Sequence, residues 1–317
     1  MLLSFKYLLA LCLLGIIHEI NAQSSHLNQN DFPKLSGPYL GQKTPGLTPE
    51  IFAPGIISTE KYEINSIFSN DGKEFYFAIS TTTPEEKAAG KYFYIVMFSK
   101  LIDGYWTEPQ RAPFSTDKYM TVDIAFSPDS KRLYFCSDRS DFSEAEGLDI
   151  WYVERSKESW SEPVNVGAPI NSPAGETQPS FTDDGTMYFP SFRNGSDGVD
   201  IYSSRQVDGV YDQPVRLSST INTQYNEGNS FISPDERYLL FARWGMPDSI
   251  SGGKALFISF RNQDGTWTEA KNVEEESDMC GSLAALSPDG KYLFYSCGGD
   301  IYWVDAEILK SFDANQK

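Results

Sequence analysis

The sequence predicts an all-β chain folded as a five-bladed β-propeller, and three observations predict it. A short phrase recurs five times: Ser69-Asn70-Asp71-Gly72, Ser127-Pro128-Asp129-Ser130, Thr182-Asp183-Asp184-Gly185, Ser233-Pro234-Asp235-Glu236 and Ser287-Pro288-Asp289-Gly290. Its aspartates stand 58, 55, 51 and 54 residues apart, a period that means a radial or stacked array of like units. Each unit carries four strand signals, the arithmetic of a propeller blade.

The elements of a unit follow in order. The first strand precedes the phrase and is small, apolar or neutral, as suits strands crowding an axis: Ile64–Phe68, Asp123–Phe126, Gln178–Phe181, Asn229–Ile232 and Leu283–Leu286. The phrase is a tight turn, where Asp accepts bonds from nearby backbone N–H groups. We read that Asp as structural. An aromatic-rich second strand follows, such as Glu74-Phe75-Tyr76-Phe77 or Leu293-Phe294-Tyr295. The third strand reads Asp149-Ile150-Trp151-Tyr152 or Asp300-Ile301-Tyr302-Trp303, and Asp-Gly turns at 103–104, 208–209 and 264–265 come next. Phrases such as Trp106-Thr107-Glu108-Pro109 and Trp160-Ser161-Glu162-Pro163 open the fourth strand, where proline fits an outer edge.

The fifth unit stops after its third strand, while Leu47–Pro54 resembles a fourth-strand phrase and precedes the first unit. The N-terminal segment 44–56 is therefore expected to complete the last blade and close the ring, protecting its edges. Six blades is the alternative count.

Ser-Pro-Asp-Gly followed by Leu-Tyr-Phe, Asp-Ile-Tyr and Trp-x-x-Pro resembles the TolB-like, or WD40-like, β-propeller repeat family, best at 233–241 and 287–303. The first copy departs with Asn70 in place of Pro, and the third with Thr182-Asp183. The resemblance spans roughly 44 to 305 and implies an exported or periplasmic propeller. It implies no single activity, since such propellers serve as docking platforms, sensors and enzyme scaffolds.

Residues 1–22 read as a signal peptide: Lys6, an apolar run from Leu8 to Ile17, and Ala22 before the expected cleavage. The apolar run is too short to span a bilayer. The chain is then parsed as an N-terminal extension (23–43), a single propeller domain (44–310) and a C-terminal tail (311–317), exported, soluble and monomeric. The net charge of −18 repels phosphate backbones and speaks against nucleic acid. Beyond the signal segment stand three cysteines. Cys280 and Cys297 flank the last turn at nearly equal distances and face each other across a hairpin, within about one residue of register. A disulfide and a pair of buried thiols are both consistent with that spacing. Cys136 has no evident partner.

Six residues before each turn phrase stand Glu63, Thr121, Glu176, Glu227 and Gly281, and two residues later Asn65, Asp123, Gln178, Asn229 and Leu283. The strand order places them where the inner strands enter the central channel, on the face of the longer loops. Arg139, Arg193, Arg243 and Trp244 follow the second strands nearby, with Phe192 and Met246 also available. Two readings stand for the glutamates and arginines: bonding to neighbouring blades, or a ligand site. As a ligand site, the group Glu63, Asn65, Asp123, Arg139, Glu176, Gln178, Arg193, Glu227, Asn229, Arg243 and Trp244 would take a protein or a glycan. As a catalytic site, Glu63, Asp123, Glu176 or Glu227 would serve as the carboxylate pair of a glycoside hydrolase. One histidine, His26, follows the signal segment, which argues against a Ser-His-Asp triad or a histidine-ligated zinc site. No Gly-x-Ser-x-Gly elbow or phosphate-binding glycine loop occurs. No cofactor and no metal site is expected. Calcium on oxygen ligands remains open, without a loop motif to identify it.

Overall fold

Apolar residues on both faces of the second strands require packing on both sides, and in the structure each such strand is sandwiched within a ring of blades. The computed structural model describes residues 32–139, 147–157, 159–194, 198–246 and 254–313. Residues 35–317 form one compact unit, apart from 1–34. The expected signal peptide and His26 lie outside the described residues, as do the loop segments 140–146 and 247–253.

Five antiparallel sheets form the blades. Blade 1 comprises Glu63–Phe68, Glu74–Ser80 and Tyr94–Ile102, with an outer strand split into Tyr105–Trp106 and Gln110–Arg111. Blade 2 repeats this with Thr121–Phe126, Arg132–Ser137, Asp149–Ser156 and a split outer strand, Ser159–Trp160 and Val164–Asn165. The split falls at Glu108-Pro109 and Glu162-Pro163, where proline has no N–H to donate. Blade 3 contains Ser180–Phe181, Met187–Ser191, Asp200–Ser204 and Val215–Arg216, and blade 4 Asn226–Ile232, Tyr238–Trp244, Lys254–Phe260 and Lys271–Asn272. Blade 5 takes three strands from the C-terminal end, Ser282–Leu286, Tyr292–Cys297 and Asp300–Asp305, and its outer strand, Glu50–Ile51, from the N-terminal end. Glu50 pairs with Trp303 and Ile51 with Tyr302. The five inner strands touch in sequence, and the fifth touches the first.

The core consists of layers between blades. At the closure Phe52, Phe75, Phe294 and Trp303 are fully or almost fully buried, and the Phe52 ring lies 5.0 Å from Phe294 and 5.1 Å from Trp303. The packed unit also extends beyond the expected domain limits. Ser36 bridges Tyr105, Leu40 is buried, and Tyr39 packs on Phe68, Tyr292 and Trp303. At the other end the 3-10 helix Ala306–Phe312 buries Phe312 completely, so the fold runs past the expected limit at 310.

The recurrent turn is built as its residues suggest. Ser69, Ser127, Thr182 and Ser287 donate their hydroxyls to Asp71, Asp129, Asp184 and Asp289 at 2.6–2.8 Å. All five turn aspartates, Asp235 included, accept the backbone N–H two residues on. Partial burial pushes Asp129 and Asp289 up, but these bonds and the following lysines outweigh it and hold both at about 2.

Candidate functional site

Between blades the chain crosses from an outer strand to the next inner strand, and a polar side chain fastens each crossing. Asn171 bonds both N–H and C=O of Ile150, and Asn222 does the same for Ile201. Ser58 brackets Ile301 likewise, while Ser115 and Glu274 accept from Val96 and Leu256. Each polar residue follows a buried apolar one: Ile57, Phe114, Ile170, Ile221 and Val273. The apolar side chain anchors the crossing while its neighbour satisfies a third-strand N–H that would otherwise be buried unpaired.

The recurrent glutamates belong to the same device. Glu63 accepts from Thr59 N–H (3.2 Å) and Oγ1 (2.5 Å), and Glu176 from Ser172 N–H (2.7 Å) and Oγ (2.6 Å). Glu227 accepts from Thr223 N–H (3.0 Å) and Oγ1 (2.6 Å). All three are at most 1% exposed. Arg193 reaches Glu176 at 3.1 Å and the Ile170 carbonyl; Arg243 reaches Glu227 at 2.7 Å and the Ile221 carbonyl at 3.2 Å. Each guanidinium lies over two aromatic rings, Phe189 and Tyr202 or Phe241 and Phe257. Burial pushes the Glu227 carboxyl up, opposed by Thr223 and Arg243. The sequence signal for this clamp is a Ser or Thr four residues before each Glu, a spacing that counting back from the turn phrase does not bring out.

Blades 2 and 5 vary the clamp. Blade 2 has Thr121 at the glutamate position, and Arg139 donates to the Phe114 carbonyl and to Thr121 Oγ1 (3.3 Å). Its Nη1 is buried without a hydrogen-bond partner. In blade 5 the position is Gly281 at φ +77°, where a Cβ would meet the Ser296 carbonyl oxygen at 1.9 Å. There Glu274 Oε1 accepts from Gly281 N–H, and a Cys280–Cys297 disulfide ties crossing to strand.

Asn65, Asp123, Gln178, Asn229 and Leu283 all have positive φ, between 38° and 62°. Each is the bulge residue of its inner strand, and four of the five strands show the accompanying register shift in their pairing. Asn and Asp tolerate this left-handed geometry better than other non-glycine residues, which accounts for three of the five. The bulges link neighbouring blades around the axis. Asn65 Oδ1 accepts Ile124 N–H (2.6 Å), Asp123 accepts Gln178 N–H, and Asn229 donates to Ser282 Oγ (2.9 Å). Asn65 N–H donates to Ser296 Oγ (2.9 Å).

Asp123 is the ionisable member of this ring. Burial pushes it up to about 6, against the Gln178 N–H, the Cys136 thiol and the Lys254 charge. Lys254 donates to Ser282 Oγ (3.2 Å); although the residue as a whole is exposed, burial of its ammonium lowers its pKa, against the Glu274 and Asp123 charges. Burial also pushes Tyr94 up to about 12, helped by Tyr62, Tyr92 and Asp123. Lys254 and Tyr94 were not singled out from the sequence.

Each end of the axis presents an accessible surface among the described residues. On the loop face Tyr62, Tyr92 and Phe192 are 47%, 54% and 42% exposed. Trp244, by contrast, covers Gly228, where a Cβ would lie 2.7 Å from its ring. On the turn face the axis opens into a cavity of about 300 Å3 lined by the inner strands. Among the described residues, no group of three or more His, Cys, Asp or Glu side chains is placed to hold a metal ion.

No protein-family model and no curated protein matches the sequence. Solved structures are similar to it at low identity. A protein of unknown function from Dyadobacter fermentans is 15% identical, with a TM-score of 0.45 and 83% of each chain covered. A putative TolB from Agrobacterium tumefaciens is 14% identical, with a TM-score of 0.42, covering 73% of this chain and 88% of that one. An oligogalacturonate lyase in complex with manganese is 14% identical, with a TM-score of 0.42, covering 79% of this chain and 68% of that one.

Proposed function

We propose that this propeller is an exported, non-catalytic binding protein of the TolB-like kind that takes a protein or a glycan on its loop face. One observation carries the reading. Of the four carboxylates that would do acid–base chemistry, Glu63, Glu176 and Glu227 are buried and each is bonded to the crossing four residues upstream, and Asp123 is buried at its bulge, 9% exposed. A hydrolase needs two carboxyl groups open to substrate across the scissile bond. The exposed aromatics Tyr62, Tyr92 and Phe192 instead offer flat apolar faces, with a polar hydroxyl on the two tyrosines, the surface that stacks on a sugar ring or grips a peptide.

The test joins a binding screen to a turnover screen. Glycan-array binding or pull-down of a protein is expected for the unmodified chain and is lost in Tyr62→Ala/Tyr92→Ala. The glycosidase reading is favoured instead if Glu176→Gln or Glu227→Gln abolishes turnover on an oligosaccharide panel without lowering the melting temperature.

A further inference from the structure

Among the described residues the loop face holds one covalent tie, and it stands where the polar clamp of the other blades is missing. In blade 5 Ser282 pairs with Ser296, so Gly281 stands opposite Cys297. Glu176 stands opposite Ser191 in the same way, and Glu227 opposite Arg243. Blade 5 therefore has neither the carboxylate nor the guanidinium that fasten blades 3 and 4. Cys280, one residue before Gly281, bonds Cys297 instead and joins the crossing to the strand end. Beside it Glu274 Oε1 accepts Gly281 N–H and Leu256 N–H, both at 3.2 Å.

The disulfide reaches an exposed aromatic through two glycines. Cys297 pairs with Asp300, and the tip between them is Gly298-Gly299. The Gly299 carbonyl accepts Glu63 N–H at 2.7 Å. The Tyr62 ring lies against the same glycine, where a Cβ would come within 2.7 Å of it. The Tyr62 carbonyl accepts Ser80 N–H at 2.9 Å, so its backbone is held by blade 1 while its ring rests on blade 5. Cys280 and Cys297 are both partly exposed, whereas Cys136 is fully buried. A thiol in solvent therefore has access to the bonded pair that it lacks to Cys136 in the folded chain.

We propose that the Cys280–Cys297 disulfide is a redox latch on the loop face: closed, it holds the blade 5 tip beneath Tyr62, and opened by a dithiol reductant, it frees crossing and tip to part, so that Tyr62 loses its floor. One thiolate of the dithiol attacks a protein sulfur and displaces the other, and its second thiol then resolves the mixed disulfide. Two electrons and two protons pass to Cys280 and Cys297, which become thiols, and the reductant leaves as a cyclic or intramolecular disulfide. The opening is local, because the backbone pairs Ser282–Ser296 and Cys297–Asp300 do not depend on the sulfur bond. The consequence for binding, weaker in the reduced form, rests on the loop-face reading above; the movement of Tyr62 does not.

Treating the folded full chain with dithiothreitol tests this, with 3-fluorotyrosine in place of tyrosine and the Tyr62 signal assigned by Tyr62→Phe. Alkylation read by mass spectrometry is expected at Cys280 and Cys297 and not at Cys136, whose burial makes it the reporter of unfolding. The Tyr62 fluorine resonance is expected to shift on reduction and to return on reoxidation. Cys280→Ser/Cys297→Ser should show the shifted position without reductant. The latch is overturned if Cys280 and Cys297 become alkylated only together with Cys136, as for a purely structural disulfide. It is equally overturned if the Tyr62 resonance stays in place once both are reduced. Neither readout needs a ligand, so the latch is separable from the loop-face reading, which fails instead if Tyr62→Ala/Tyr92→Ala leaves binding intact. Where the double-serine variant does not fold, the reduced unmodified chain decides.

Discussion

Asp123 is the residue at which a bulge, a blade contact and a buried charge coincide. Its carboxyl titrates near 6 in the fold, against about 3.9 for an unperturbed aspartate. The folded state therefore holds the proton more tightly than the unfolded chain. The stability Asp123 contributes is full below about pH 4 and is lost as the pH rises through 6. Asn65 and Asn229 occupy the same position with neutral amides. Asp123→Asn keeps an acceptor for the Gln178 N–H and is expected to raise stability at pH 7.5 by about 3 kcal/mol, from the two-unit shift. Thermal melts at pH 4.5 and 7.5 check it; an unchanged slope between the two would contradict the assignment. The turn aspartates run the other way. Asp129 and Asp289, held at about 2, support the fold above pH 4 and lose that support as the pH falls toward 2. At this scale the positions of Asp123 and Gln178 were legible from the count back to the turn phrase. Their left-handed backbone was signalled only by a preference for Asn and Asp. The upward shift of Asp123 was not legible, because it arises from blades far apart in sequence closing over it.

Among the elements, the crossings between blades carry the specificity. Removing one partner of a buried ion pair leaves the other charge uncompensated. Arg193→Met is accordingly expected to lower stability by roughly 3 kcal/mol, and denaturant unfolding measures it. Blade 2 permits the converse. Thr121 occupies the register of Glu176, opposite Ser137 as Glu176 is opposite Ser191, and the nearby Arg139 Nη1 is unpartnered. Thr121→Glu is expected to pair with Arg139 and raise the melting temperature; a fall would show that blade 2 lacks room for the carboxylate. The turn phrase and its aspartate were readable from residue chemistry alone, since the bonds that each aspartate accepts from its own turn lie within two residues. The choice between a blade-bonding and a ligand-binding role for Glu176 and Arg193 was not. That choice rests on where Ser172, Ser191 and the Ile170 carbonyl come to lie, which only the packed crossing determines.

For the whole molecule, ring closure is the step on which the rest depends. Phe52 lies at the centre of an aromatic cluster drawn from both ends of the chain, so Phe52→Ala is expected to cost about 3–5 kcal/mol. The cost should appear as one cooperative loss in a thermal melt, because an open propeller exposes two blade edges at once. The sequence by itself determined the blade count, the turn, the strand order and the exchange that completes blade 5 with Glu50–Ile51. These are encoded by local period and by the match between a missing strand at one end and a spare one at the other. Only the tertiary structure decided that the glutamates and arginines satisfy one another, that Cys280 bonds Cys297, and that the axis holds an open cavity on the turn face. The physical reason is that burial and hydrogen-bond distance depend on how one blade lies against the next. A repeat sets the spacing of blades along the chain, whereas the side chains that line the axis, such as Ile67 and Phe231 beside Ala125 and Ala285, differ from copy to copy.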